Sequence, residues 1–153
     1  MDVAILEDIR FEPDLERLKK KLRVRDGGRS ADRFARLVEA AEAIARPRAL
    51  YGVAYIESKG DDSVVIDGVA FESRVLRVNL EETHRVFPYL ATGGIELHEW
   101  AAAQDDTLQR YYADAIAEMA LRQAQGALQQ HLKERYRLGR TSTMSPGSLA
   151  DWP

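Results

Sequence analysis

The segment that most restricts how this chain can fold runs from Leu108 to Tyr136. In it Leu108, Tyr112, Ile116, Met119, Ala120, Ala124, Ala127, Leu128, Leu132 and Tyr136 keep roughly to one stripe at helical spacing. Asp105-Asp106-Thr107 introduces the segment and Gly139 supplies a natural stop. The spacing predicts one long core helix. Gly126 in its middle costs about 1 kcal/mol relative to Ala, a cost that close approach of another backbone would offset. Gln123, Gln125, Gln129 and Gln130 make the opposite face polar and uncharged, with no obvious chemistry.

Shorter elements precede it. After an extended start at Val3 to Leu6, Glu12-Pro13-Asp14 begins a first helix that runs to about Val24, with Leu15, Leu18 and Leu22 as its apolar stripe. Asp26-Gly27-Gly28 breaks it, and Ser30 is placed to cap a second helix. There Phe34, Leu37, Val38, Ala41, Ile44 and Ala45 share a face, and Pro47 ends the helix. From Leu50 the period becomes that of a strand, with Tyr51, Val53 and Tyr55 on one face. Lys59 to Asp62 is a turn, Ser63 to Ile66 a strand, and Asp67-Gly68 a tight turn before Val69 to Phe71, all expected to pair antiparallel. A short helix capped by Ser73 follows, with Val75, Leu76 and Leu80 inward. Arg85 to Leu90 is extended, with Pro88 at an edge or a strand end. The fold class is therefore α+β, an antiparallel sheet flanked by helices.

With 153 residues, the chain has the length of one domain with one sizeable core. Residues 1–140 form that domain, and 141–153 is its aperiodic C-terminal segment, which frays unless a groove or ligand holds it. No run approaches the roughly 20 apolar residues that cross a bilayer. The acidic start lacks a signal peptide's basic residues, which points to the cytoplasm. A net charge of -3, with both signs interspersed, disfavours nucleic acid. The basic cluster Lys19-Lys20-Lys21 with Arg23 and Arg25 reads as the solvated face of the first helix. Absence of cysteine excludes disulfides, thiolate metal sites and thiol catalysis within these residues.

His84, His98 and His131 are scattered, and Glu96-Leu97-His98-Glu99 lacks the paired histidines of a zinc helix, so no metal site is expected. No dinucleotide fingerprint, Walker lysine or nucleophilic triad is recognisable. Catalytic residues are unassigned. Gly93-Gly94, between a strand and a helix near Ile95, allows an anion cradle involving Thr92, although a cap and a sharp turn would use the same residues.

Two short segments carry a resemblance. Ala91-Thr-Gly-Gly-Ile-Glu-Leu-His-Glu-Trp100 and Thr141-Ser-Thr-Met-Ser-Pro-Gly-Ser-Leu-Ala-Asp-Trp-Pro153, with the long helix between them, resemble the activation domain of cobalamin-dependent methionine synthase. The order of elements is similar over nearly the whole chain. The likeness is to the family's smaller, stand-alone relatives, and since family members continue through further strand and helix beyond the Pro-Gly segment, the chain is expected to be either a truncated or a minimal version. In that family the segment reads R-x-x-P-G-Y, its Arg binding the carboxylate of S-adenosylmethionine and backbone groups beside Pro-Gly holding the adenosyl part. Pro146-Gly147 matches, while Thr143 stands in the Arg position and Ser148 in the Tyr position.

The resemblance implies a place in methionine biosynthesis, in the reductive remethylation of a corrinoid protein by methyl transfer. Cobalamin is then carried by a partner protein or domain, and S-adenosylmethionine is the methyl donor. The implied binding residues are Thr92, Gly94, Glu96, Arg140, Thr143, Ser145, Pro146, Gly147 and Ser148, with Arg140 three residues before the family's Arg position. A non-catalytic module that docks on the corrinoid protein without a methyl-donor site is the alternative, favoured by Thr143 and Ser148. An unrelated small-ligand α+β protein is a third reading.

Overall fold

The computed structural model describes residues 1–147 and 150–152. The fold is α+β, with two antiparallel sheets flanked by helices. In chain order the elements are β1 (Val3–Leu6), α1 (Leu15–Leu22), α2 (Arg29–Ile44), β2 (Arg48–Gly52), β3 (Ala54–Lys59), β4 (Ser63–Ile66), β5 (Val69–Glu72), α3 (Arg74–Asn79), β6 (Arg85–Val86), β7 (Tyr89–Thr92), α4 (Ile95–Ala102) and α5 (Thr107–Tyr136). One sheet has the order β1-β2-β7 and the other β5-β4-β3-β6. The chain forms two compact units, Met1–Ala4 with Leu50–Tyr89 and Arg137–Pro153, and Ile5–Ala49 with Leu90–Tyr136. Among the described residues no helix is long and apolar enough to cross a membrane.

The second unit is built around α5. Asp106 starts this helix by accepting the Gln109 N–H at 2.9 Å. Its buried side chains are Tyr112, Ala113, Ala115, Ile116, Ala120, Ala124, Leu128 and Leu132. So many alanines let neighbouring helices approach closely, and α1, α2 and α4 all pack on α5. From α2 come Phe34, Leu37, Val38 and Ala41, from α1 Leu18 and Leu22, and from α4 Leu97. Phe34 and Tyr112 meet edge to face with centroids 5.7 Å apart. The glutamine face also has structural work. Gln123 accepts the Glu12 N–H at 3.0 Å and donates to the Glu12 carbonyl at 2.5 Å, clamping the backbone that leads into α1.

Several expectations are corrected here. Leu108, assigned to the buried stripe, is 46% exposed because it lies in the first turn of α5. No backbone approaches Gly126, where a Cβ would meet nothing within 4 Å. The left-handed residue that ends α5 is Arg137 (φ 50°), two residues before Gly139. Helix α2 is capped by Gly28 (φ 111°), not Ser30, which falls inside the first turn because the glycine's positive φ lets the helix begin at Arg29. Helix α1 stops at Leu22, where Arg23 turns left-handed; its N-cap is Asp14, which accepts the Arg17 N–H at 3.0 Å.

In the first unit β3, β4 and β5 form an antiparallel meander, with Ile56 opposite Ile66 and Val64 opposite Phe71. The β4–β5 turn, Asp67 (φ 43°) and Gly68 (φ 77°), is of the doubly left-handed kind that suits a twisted hairpin. The strand read through Tyr51, Val53 and Tyr55 is instead broken at Val53. Tyr51 is 2% exposed and Tyr55 is 56% exposed, because β2 and β3 belong to different sheets. Pro88 likewise separates β6 from β7, as its missing N–H requires.

Candidate functional site

Of the residues the resemblance singles out, Arg140, Thr143, Ser145, Pro146 and Gly147 lie in the first unit, and Thr92, Gly94 and Glu96 lie in the second. Ser148 lies outside the described residues.

Among the described residues the C-terminal segment has no helix or strand of its own, yet it is fastened near its far end. Ser73, the N-cap of α3, accepts the Leu76 N–H at 3.1 Å and donates its hydroxyl hydrogen to Asp151 Oδ2 at 2.6 Å. The Val75 N–H donates to the same Asp151 oxygen at 3.0 Å. A helix leaves its first amides without intrahelical partners, so a hydroxyl and a carboxylate from two distant parts of the chain share that duty here. The Ser73 hydroxyl and then the Val75 amide hold the Asp151 carboxyl below its ordinary range. Ser73 is 3% exposed. Trp152 packs edge to face on Phe71 of β5, with centroids 6.3 Å apart.

Pro146 and Gly147 occupy a turn, Gly147 at φ 76°, and the Gly147 N–H donates to the Trp152 carbonyl at 2.7 Å. That bond closes the loop on itself. Arg140, Thr143, Ser145, Pro146 and Gly147 are all exposed. Arg140 makes no hydrogen bond or ion pair among the described residues. The segment thus presents a guanidinium and a proline ring on a fastened loop. Sequence reasoning missed Asp151 and Trp152, the residues that fasten it. The one local signal was Ser73 as a helix cap with spare donor capacity.

In the second unit Thr92 accepts the Gly94 N–H at 3.0 Å, so its hydroxyl stabilises the turn before α4. Gly94 itself is the N-cap of α4 and no side chain caps that helix. Gly93 sits against α5, where a Cβ would come within 3.3 Å of the Ala120 methyl. Its carbonyl accepts the Arg46 N–H at 3.1 Å. Gly94 (φ 105°) is equally constrained, since a Cβ there would lie 3.1 Å from the Arg46 nitrogen and 3.0 Å from Glu96 Oε2. The helix start thus has its own carboxylate beside it, in the position where negative charge is favoured.

Two other groups of charge stand out. In the second unit Glu118 of α5 accepts from Lys21 of α1 at 2.5 Å and from Arg122 at 2.8 Å, and these bonds draw its carboxyl down to about 2. In the first unit Arg77 and Glu81 pair at the end of α3. Among the described residues no three His, Asp or Glu side chains are grouped as metal ligands. The chain matches no protein-family model and no curated protein.

Proposed function

We propose that the chain is an activation-type domain, similar to that of cobalamin-dependent methionine synthase, which docks on a cytoplasmic corrinoid protein and supports its reductive remethylation. The observation that carries this reading is the fastened Pro146-Gly147 loop. A stretch with no helical or strand period is closed by the Gly147–Trp152 bond and tied to α3 and β5 through Asp151 and Trp152. Such a loop is a defined surface for a partner, where a fraying tail would offer none. The partner's cobalamin supplies the methyl-transfer chemistry when bound. This chain's contribution is orientation, since holding two reactants in line removes much of the entropic barrier between them.

A second reading, docking without a methyl donor, is favoured by one specific geometry. S-adenosylmethionine fits the segment poorly at two points. The Gly147 amide is already given to the Trp152 carbonyl, and Thr143 offers a hydroxyl where the resemblance places a guanidinium fork. Arg140 is the remaining exposed cation that can meet a carboxylate from this loop.

Calorimetric titration of S-adenosylmethionine into the protein and into its Arg140→Ala variant separates the readings. Saturable binding weakened by the substitution supports the methyl-donor site. No binding to the free chain, with a complex formed on a cobalamin-loaded corrinoid protein, supports the docking module. Failure of both removes the corrinoid reading.

A further inference from the structure

Charge is divided very unevenly along this chain. Nine of its 22 Lys and Arg, but only two of its 25 Asp and Glu, lie between positions 17 and 36. That stretch holds a surplus of seven positive charges, while the remaining residues carry thirteen cations against 23 carboxylates. It covers most of α1, the Gly27-Gly28 turn and the first half of α2, all within the second unit.

The structure shows which of these cations are already used. Lys19 is bound to Asp26 at 2.9 Å and Lys21 to Glu118 at 2.5 Å. Arg17, Lys20, Arg23, Arg25, Arg29, Arg33 and Arg36 are exposed, and their side chains make no hydrogen bond or ion pair among the described residues. Arg29, Arg33 and Arg36 stand four and three residues apart on α2, which places them on one stripe of the helix. The core face of that helix, Phe34, Leu37, Val38 and Ala41, is already buried. At the end of α1, Lys20, Arg23 and Arg25 line a concavity of about 350 Å³ together with Lys19 and the carboxylates of Glu16 and Asp26.

We propose that the exposed cations of α1 and α2 form a docking surface for an acidic protein, a fold presenting clustered Asp and Glu. Nine cations within twenty successive residues that hold only two carboxylates repel one another, and an opposing carboxylate surface removes that repulsion while steering approach. Nucleic acid suits the face less well. The only aromatic side chain between 17 and 36 is Phe34, which is 1% exposed and cannot stack on a base, and the rest of the chain is strongly acidic. A lipid surface also suits it less well, because Leu18 and Leu22 of the α1 stripe are spent in the core and Leu15, 43% exposed, is all of that stripe left outside. This surface is argued from charge alone and stands whether or not the partner carries a corrinoid.

The test is a titration of the full chain with an oligoglutamate peptide at low salt, followed by amide NMR. Duplex DNA and vesicles of three parts phosphatidylcholine to one part phosphatidylserine serve as competing probes. The expected result is saturable binding of the peptide, shifts confined to positions 17 to 36, and weaker but still saturable binding at physiological salt, where the screening length falls to about 8 Å. Combined Arg29→Glu, Arg33→Glu and Arg36→Glu should weaken binding at least about tenfold. Lys133→Glu on α5 should leave it unchanged. If the triple variant loses helicity, Arg→Gln at the same positions replaces it. Equal affinity in a folded patch variant overturns the proposal. So do tighter binding of DNA or vesicles than of the peptide, self-association of the chain, and no binding at all.

Discussion

The carboxylate of Asp151 and the hydroxyl of Ser73 lie 2.6 Å apart although 78 positions separate them, and the same carboxylate oxygen takes the Val75 amide. Through this pair the start of α3 holds the C-terminal loop. Asp151→Asn leaves a neutral acceptor in place of a charge-assisted one and should loosen the loop without unfolding the first unit. Hydrogen exchange should then accelerate at Val75 and Gly147 while the β3–β4 ladder stays protected. Unchanged exchange at both amides would show that Asp151 holds nothing.

The pH dependence of that fastening follows from the lowered Asp151 pKa. A carboxyl whose folded value lies below its ordinary 3.8 contributes stability above that value and loses it as the pH falls through the lowered one. The loop should therefore stay fastened at neutral pH and release in acid. Limited proteolysis between Gly139 and Trp152, compared at neutral pH and at a pH well below the ordinary value, reads this directly. Ser73→Ala should cost about 1 kcal/mol at neutral pH through the lost cap, seen as a fall in Tm.

Two glycines should respond in opposite directions to the same change. Gly126→Ala adds a methyl group to open space at an exposed position of α5 and should stabilise by about 1 kcal/mol. Gly94→Ala forces an alanine to φ 105° with its Cβ 3.1 Å from the Arg46 nitrogen, and should destabilise by about 1–3 kcal/mol. Denaturant midpoints of the two variants, with unchanged m, check both signs.

Much of the local structure was legible because its causes are local. Ser73 as a cap, Asp67-Gly68 as a hairpin turn and Pro47 as a helix stop each act within a few residues. Tyr51 and Tyr55 were misread because alternation assumes one continuous strand, and the interruption at Val53 reflects membership of two sheets. Gly139 lost its role to Arg137, which turns left-handed two residues earlier although its side chain does not favour that conformation. The fastening of the Pro-Gly loop was not legible, since nothing near Asp151 in sequence announces Ser73. Nor did spacing show that Gln123 would clamp the Glu12 backbone.

Glu118 ties α1 to α5 within the second unit, and its carboxyl is lowered to about 2, chiefly by the Lys21 and Arg122 hydrogen bonds. Its contribution is present above the ordinary 4.5 and lost as the pH falls from there toward 2. Glu118 is 41% exposed, so solvent screens the pair and Glu118→Gln should cost no more than about 1 kcal/mol. Added salt should shrink that difference. A salt-independent loss of several kcal/mol would mean that the side chain acts through packing.

The corrinoid reading is met most directly by titrating this chain into the corrinoid proteins of the same genome, each loaded with hydroxocobalamin, while the visible spectrum of the cobalamin is followed. Docking beside the corrin should give a saturable spectral change with one partner, diminished by Asp151→Asn and Trp152→Ala. No spectral change and no comigrating complex with any of those proteins would contradict it.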